Sequence, residues 1–226
     1  MNATALLHLL QLSTPSLPIG AYSYSQGLEP ALESGLAHDE ASAREWIAEA
    51  LQLVVARFEA PVLWRLLQGF DKVDADAVQR WTERFLAARD TAEFRAETVQ
   101  MGYSLGKLLA ELELPRPELL TLLQSLPEVP LPTALACAAV ALDVPHEAAL
   151  LGMLFSWAEN QVLVCVKSVP LGQVAGQRLL LSLRPALESA ALTAQALKDD
   201  ELSNWSPGLS LLSMRHEVQY SRLYRS

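Results

Sequence analysis

The 226-residue sequence predicts a single all-α domain of roughly eight to ten helices. Three observations predict it. No stretch of useful length alternates with the period of two that a half-buried strand requires, whereas apolar residues recur at helical spacing through most of the chain. Hydrophobic residues make up 51% of the chain and aromatics only 7%, so leucine and alanine, both strong helix formers, must do most of the packing. Prolines punctuate the periodic runs at the spacing of helix boundaries, with Pro61 and Pro185 expected as kinks.

In order, residues 5–12 read as a short apolar helix that ends before Pro15. Pro15 and Pro18 then fix two φ angles and push the residues before them out of helix. Ser23 and Gln26 have capping-box spacing, which predicts a helix over about 25–36, stopped by Gly35. Asp39 opens a long helix with a buried stripe at Trp46, Ile47, Ala50, Leu51, Val54, Val55 and Phe58, which Pro61 must kink or end. Asp74 or Asp76 caps the next, and Asp90 or Thr91 the one after. Pro115 and Pro117 open a short helix to residue 126. A stiff connector at Pro127, Pro130 and Pro132 leads to an alanine-rich helix from Thr133 to Leu142. Residues 146–167 form the most apolar helix, expected at the centre. Pro170 and Gly172 separate it from a last helix over 173–197. Residues 1–200 are therefore the helical domain, and residues 201–226 a linker and a C-terminal docking tail.

Net charge is −9 and the sequence pI about 4.9, which repels phosphate backbones and argues against nucleic acid as a partner. No uncharged run is long and apolar enough to span a bilayer; residues 129–142 are the best and too short. With no basic n-region at the start, the expectation is a soluble, cytoplasmic protein. Cys137 and Cys165 lie in apolar helical runs and read as buried thiols, although the sequence leaves a disulfide open.

Three kinds of chemistry lack their residues. Gly102 to Leu108 imitates a phosphate loop, but it is one residue short between the glycines, has leucine where a Mg²⁺-binding Ser or Thr is needed, and lies mid-helix. Small residues for close helix packing explain it. His8, His38, His146 and His216 are far apart, with no Cys-x-x-Cys or His-x₃-His, so no metal site within the chain is expected. The serines between Gly20 and Gly27 lack a strand leading into them and a Gly-x-Ser-x-Gly frame, so no nucleophile is activated there. No catalytic residue and no cofactor are expected. The competing class is a helical-bundle enzyme acting on a small substrate at the Tyr22–Glu29 loop.

Two surfaces look built for binding. One is the loop over residues 13–29, where Tyr22 and Gln26 precede Glu29 at a helix start. Glu159, Asn160 and Gln161 interrupt the most apolar helix, as a solvent-facing flank or the wall of a polar cavity. The other surface is the tail. Arg215, Arg222 and Arg225 reverse the local charge, and Tyr220, Leu223 and Tyr224 would share one helical face. Tyrosine and arginine dominate interface hot spots. Locally, Glu29 and Lys167 need be no more than charges at opposite helix-dipole ends.

The sequence resembles the urease accessory protein F (UreF) family in three places. Leu17, Pro18, Gly20, Tyr22, Ser23, Ser25, Gly27, Leu28 and Glu29 match its first signature, residues 167–173 a second, and residues 215–226 a third. Thr14 stands where many members have Asp, Ala21 where many have Gly, and Tyr224 where Phe is usual. The resemblance implies a nickel-incorporation adaptor that dimerises. It would bridge a UreD/UreH-type accessory protein and the UreG-type GTPase, and couple GTP hydrolysis to nickel delivery into the urease apoprotein. It also implies an exposed face at Glu29 and Lys167 for the GTPase, and an internal passage for nickel.

Overall fold

The structure, a computed structural model, describes every residue except Pro170. Its order is α1 (Ala3–Ser13), a 3₁₀ turn (Ala21–Ser23), α2 (Leu28–Glu33), α3 (Glu40–Ala50), a π-wound stretch (Leu51–Glu59), α4 (Ala60–Asp71), α5 (Ala75–Ala87) and α6 (Ala92–Glu111). It continues with α7 (Pro117–Gln124), α8 (Leu131–Ala141), α9 (His146–Ser168), α10 (Gln173–Ser182), α11 (Arg184–Ala196), a second 3₁₀ turn (Asp199–Glu201) and α12 (Pro207–Glu217). Because α3 runs through the π stretch into α4 without a break, these are eleven helices with no strand among the described residues, slightly more than eight to ten.

The alanine-rich α8 lies at the centre, with Ala134, Ala136, Cys137, Ala138, Ala139 and Ala141 wholly buried. Its small side chains let α4, α6 and α9 approach closely. Gly102 serves the same purpose from α6: a Cβ there would stand 2.1 Å from the Val129 carbonyl oxygen. The phosphate-loop spelling at Gly102 is therefore a packing feature. Both cysteines are free and buried, and burial pushes each thiol up to about 12.

Pro61 does not end its helix, which runs on from the π-wound stretch through α4. Lacking an N–H, it leaves the Arg57 carbonyl without a helical donor. The backbone N–H of Ser203 donates to that carbonyl instead at 3.2 Å, where the preceding turns are π-wound. Pro185 separates α10 from α11 rather than bending one helix. The Pro170 break lies outside the described residues.

Helix α9 is long and apolar enough to cross a membrane by length and composition, with mean hydropathy 1.4 over an 18-residue window that holds at most two charged residues. Half of that window is buried within the domain, where α9 packs against α1, α2, α3, α4, α10 and α11. It is the core helix of a helical bundle.

Residues 201–226 are more structured than a linker and tail. Helix α12 packs on α2 and α6. It ends at Glu217, so Tyr220, Leu223 and Tyr224 share no helical face: Tyr220 and Leu223 are exposed and Tyr224 is buried.

Candidate functional site

Three chain segments meet at one place: the loop over residues 13–29, the middle of α9, and the end of the chain. The loop is shaped by left-handed residues, Gly20 at φ 79°, Gln26 at 55° and Gly27 at 84°. Gly27 is also pressed against Leu209, whose Cδ1 would lie 2.6 Å from any Cβ there. These turns leave no room for the capping box expected at Ser23 and Gln26, and α2 starts only at Leu28. The Ser25 hydroxyl takes over, accepting from the Glu29 N–H at 3.3 Å.

The polar triplet of α9 holds this loop. Glu159 accepts from the Tyr22 hydroxyl at 2.8 Å. Asn160 donates to the Tyr24 carbonyl at 2.8 Å, and Gln161 to that of Ser25 at 3.3 Å. The solvent-flank reading of the triplet is thereby corrected, since Asn160 and Gln161 are buried to satisfy loop carbonyls. Burial, reinforced by the bond and charge of Glu159, pushes the Tyr22 hydroxyl well above its ordinary range.

The chain end closes on the same loop. The Ser226 carbonyl accepts from the Ser25 N–H at 2.5 Å, the Ser25 hydroxyl at 2.6 Å and the Gln26 N–H at 3.3 Å. The Arg225 N–H donates to Ser23 at 2.8 Å, and the Ser226 hydroxyl donates to Glu97 of α6. Gln26 donates to the other Glu97 oxygen at 3.0 Å.

Glu29 is the second fastening. Its carboxylate is buried and accepts from the backbone N–H of Leu223 at 2.7 Å and of Tyr224 at 3.0 Å. His216 sits between two carboxylates, Nε2 3.1 Å from Glu29 and Nδ1 2.9 Å from Glu93. Both ring nitrogens thus lie within hydrogen-bond distance of a carboxylate oxygen. Arg222 donates to Glu93 at 3.1 Å from the solvent side. Lys167, exposed at the end of α9, places its ammonium 5.6 Å from the Tyr224 ring centroid. The Tyr224 hydroxyl has no partner among the described residues. Burial, then the Glu29 charge, pushes it up to about 12.

Beneath the loop lies a mostly apolar cavity of about 130 Å³, bordered by Leu9, Leu17, Met101, Leu135, Trp157 and Asn160. Two smaller cavities, about 50 and 40 Å³, adjoin Glu97 and Arg89, and Gln26 and Glu59 border all three. Among the described residues no group of three or more His, Cys, Asp or Glu is arranged to hold a metal ion.

The family model for UreF matches residues 37–184. The chain belongs to the UreF family of urease accessory proteins. The UreF of Janthinobacterium sp. (strain Marseille) is 77% identical over 226 residues, covering 100% of both chains. That of Nitrosospira multiformis is 64% identical over 222 residues, covering 98% of each, and that of Azoarcus sp. (strain BH72) 50% identical over 223, covering 98% of this chain and 95% of its own.

In this UreF chain Lys167, Arg215, Tyr220 and Arg225 present their side chains to solvent. Tyr22 and Gln26 are half-buried, while Glu29 and Tyr224 are buried and face inward. The sequence reading missed Glu93, Glu97, His216 and Ser226 as members of this cluster, and Ser226 is 2% exposed at its centre. Pairings of α6 with residues more than a hundred positions away leave no local trace.

Proposed function

We propose that this chain is the adaptor of urease nickel incorporation, bridging a UreD/UreH-type accessory protein and a UreG-type GTPase so that GTP hydrolysis drives nickel delivery into the urease apoprotein. One observation carries this reading. Helix α12 turns Leu211 and Met214 outward, at the i, i+3 spacing of one face, and Val218, Tyr220 and Leu223 continue the exposed apolar residues beyond its end. Arg215 and Arg225 are exposed beside it, in a chain of net charge −9. A held platform of apolar and arginine side chains suits protein docking better than catalysis. The accessory protein contacts this platform. The GTPase contacts Lys167 and its surroundings. Tyr22, Gln26, Glu29 and Tyr224 act behind the surface by fixing the loop and chain end that present it, and Arg222 braces the same end from the solvent side through Glu93. The cavities meeting at Gln26 and Glu59 favour an internal path for nickel as cargo. The protein works in the cytoplasm as a homodimer, and the enzyme alternative has no comparable support, since the loop's polar groups are engaged within the chain.

The platform reading predicts that Tyr220→Ala weakens the complex with the UreD-type protein by about 2 kcal/mol, roughly thirtyfold, without changing the thermal melt. Titration calorimetry with the purified partner measures it, and an unchanged affinity would remove Tyr220 from the interface. The adaptor reading also predicts that the isolated chain binds neither GTP nor nickel tightly; a stoichiometric GTP complex in calorimetry would sink it.

A further inference from the structure

Helices α4 and α5, with the end of α11, enclose a polar cleft of about 310 Å³ that shares no residue with the loop cluster or the α12 platform. Its walls are preorganised. A Cβ on Gly69 of α4 would stand 3.1 Å from Val78 Cγ2, so α4 and α5 are closely apposed there. Between them Trp81 is buried, with the guanidinium carbons of Arg65 and Arg84 each 5.1 Å from its ring centroid. The same two arginines pin the second 3₁₀ turn as the far rim. Arg65 donates to the Asp199 carboxylate and to the Leu197 carbonyl, both at 2.6 Å, and Arg84 donates to the Asp199 carbonyl at 2.8 Å.

We infer that this cleft takes the carboxylate side chains of an acidic segment of a partner protein. Charge carries the inference. The two acids that border the cleft are engaged within the chain: Asp199 by Arg65, and Asp74 by the Ala77 N–H at 3.0 Å, where it caps α5. Asp71 lies against Arg116 and Glu83 accepts from Gln79, and neither borders the cleft; nor do Asp76 and Asp200. Lys72 and Arg80 do border it, both exposed, and among the described residues neither forms an ion pair. Two uncommitted cations thus face one cleft in a chain of net charge −9. That net charge disfavours a nucleic acid, while an acidic segment is drawn to the local cations. The guanidinium of Arg80 matches a carboxylate in two-pronged geometry. Gln68 and Gln195, also on the walls, can donate to peptide carbonyls and accept from peptide N–H groups, which a lone ion does not use. The turn that brings Lys72 to the rim is strained: Val73 has φ 53°, the left-handed region where glycine is the default after a helix and a β-branched residue is an outlier. Its side chain is 45% exposed and gains little from burial. Strain of this kind gathers at ligand clamps.

The test is titration calorimetry of the full chain with a capped glutamate hexapeptide, beside a thermal melt of each protein. The wild-type chain should form a one-to-one complex that weakens at least about tenfold as salt rises from about 0.05 M to about 0.5 M. Lys72→Glu with Arg80→Glu should weaken it at least about thirtyfold, and Lys72→Arg with Arg80→Lys should keep it. Both side chains are exposed, so the melts should coincide. Lys107→Glu with Arg184→Glu makes the same change of net charge at exposed positions elsewhere and should bind as the wild type does. If the first double variant fails to fold, Arg80→Gln alone must weaken the complex. No binding at millimolar peptide overturns the inference, as does equal binding of a glutamine hexapeptide or an equal loss in the Lys107 and Arg184 variant. Displacement of the peptide by inorganic phosphate at equal concentration overturns it in favour of a simple anion site.

Discussion

Glu29→Ala unfastens the end of the chain and lowers stability by about 3–5 kcal/mol, the cost of removing one partner from a buried, hydrogen-bonded charge pair. The carboxylate is 5% exposed and accepts from Leu223 N–H, Tyr224 N–H and His216 Nε2. Alanine leaves two backbone donors and one ring nitrogen facing a void, and water reaches them only if the segment lifts. For a chain of this size the loss lowers the melting temperature by on the order of 10 °C. The helices persist, so far-UV circular dichroism at room temperature changes little. Trypsin should instead find new access at Arg222 and Arg225. Lys167→Ala makes the contrast: the ammonium is exposed and touches only the face of Tyr224, so its loss costs less than about 1 kcal/mol. Local dipole logic had made the two residues equivalent, and burial separates them. A melt of Glu29→Ala within two or three degrees of wild type, with no new tryptic cleavage, would show that the carboxylate does not hold the chain end.

The difference between Glu29 and Lys167 marks how far the sequence could be read. Capped and periodic segments were legible: Asp39, Asp74 and Thr91 cap helices as their side chains predict, and α9 runs His146–Ser168 against an expected 146–167. The two Pro-rich boundaries around α7 and α8 were legible for the same reason. Helix α12 was not, because Pro207 and Gly208 spell a turn. Proline at the first helical position costs nothing, since that N–H has no helical partner in any case. The site was half legible. Its loop and tail announce themselves by composition, whereas the three adjacent polar residues of the apolar helix read as a solvent-facing flank or a cavity wall and not as anchors for loop carbonyls. That the partners are the carbonyls of Tyr24 and Ser25, or that His216 finds Glu29 and Glu93, is tertiary information. So is the difference between a linker with a docking tail and a segment already fastened at Ser226.

Glu97 makes the fastening of Ser226 sensitive to pH. Burial pushes its carboxyl from 4.5 up to about 7; the bonds from Ser226 and Gln26 and the charge of Arg89 oppose the rise, and the Glu59 carboxylate adds to it. A group whose folded value lies above its unfolded one stabilises fully below the unfolded value and loses that contribution as pH rises through the folded one. This carboxyl therefore favours the folded state most below about pH 4.5 and progressively less up to and beyond pH 7. The full difference corresponds to about 3 kcal/mol. Glutamine at this position keeps the geometry, its oxygen accepting from Gln26 and its amide donating to the Ser226 hydroxyl, but it carries no titrating proton. Urea unfolding of both proteins at pH 5 and pH 8 isolates the group, because every other titration is common to the two. Relative to Glu97→Gln, the wild-type protein should lose most of that 3 kcal/mol between the two conditions. Ionisation at higher pH places a second negative charge beside Glu59 in the wall shared by the two smaller cavities, with Arg89 as the neighbouring cation. The chain end is then held by a charged acceptor in a site that resists charge, and the folded state loses stability. Parallel stability curves for the two proteins would show that Glu97 titrates as it does in the unfolded chain and that the chain end is held independently of its proton.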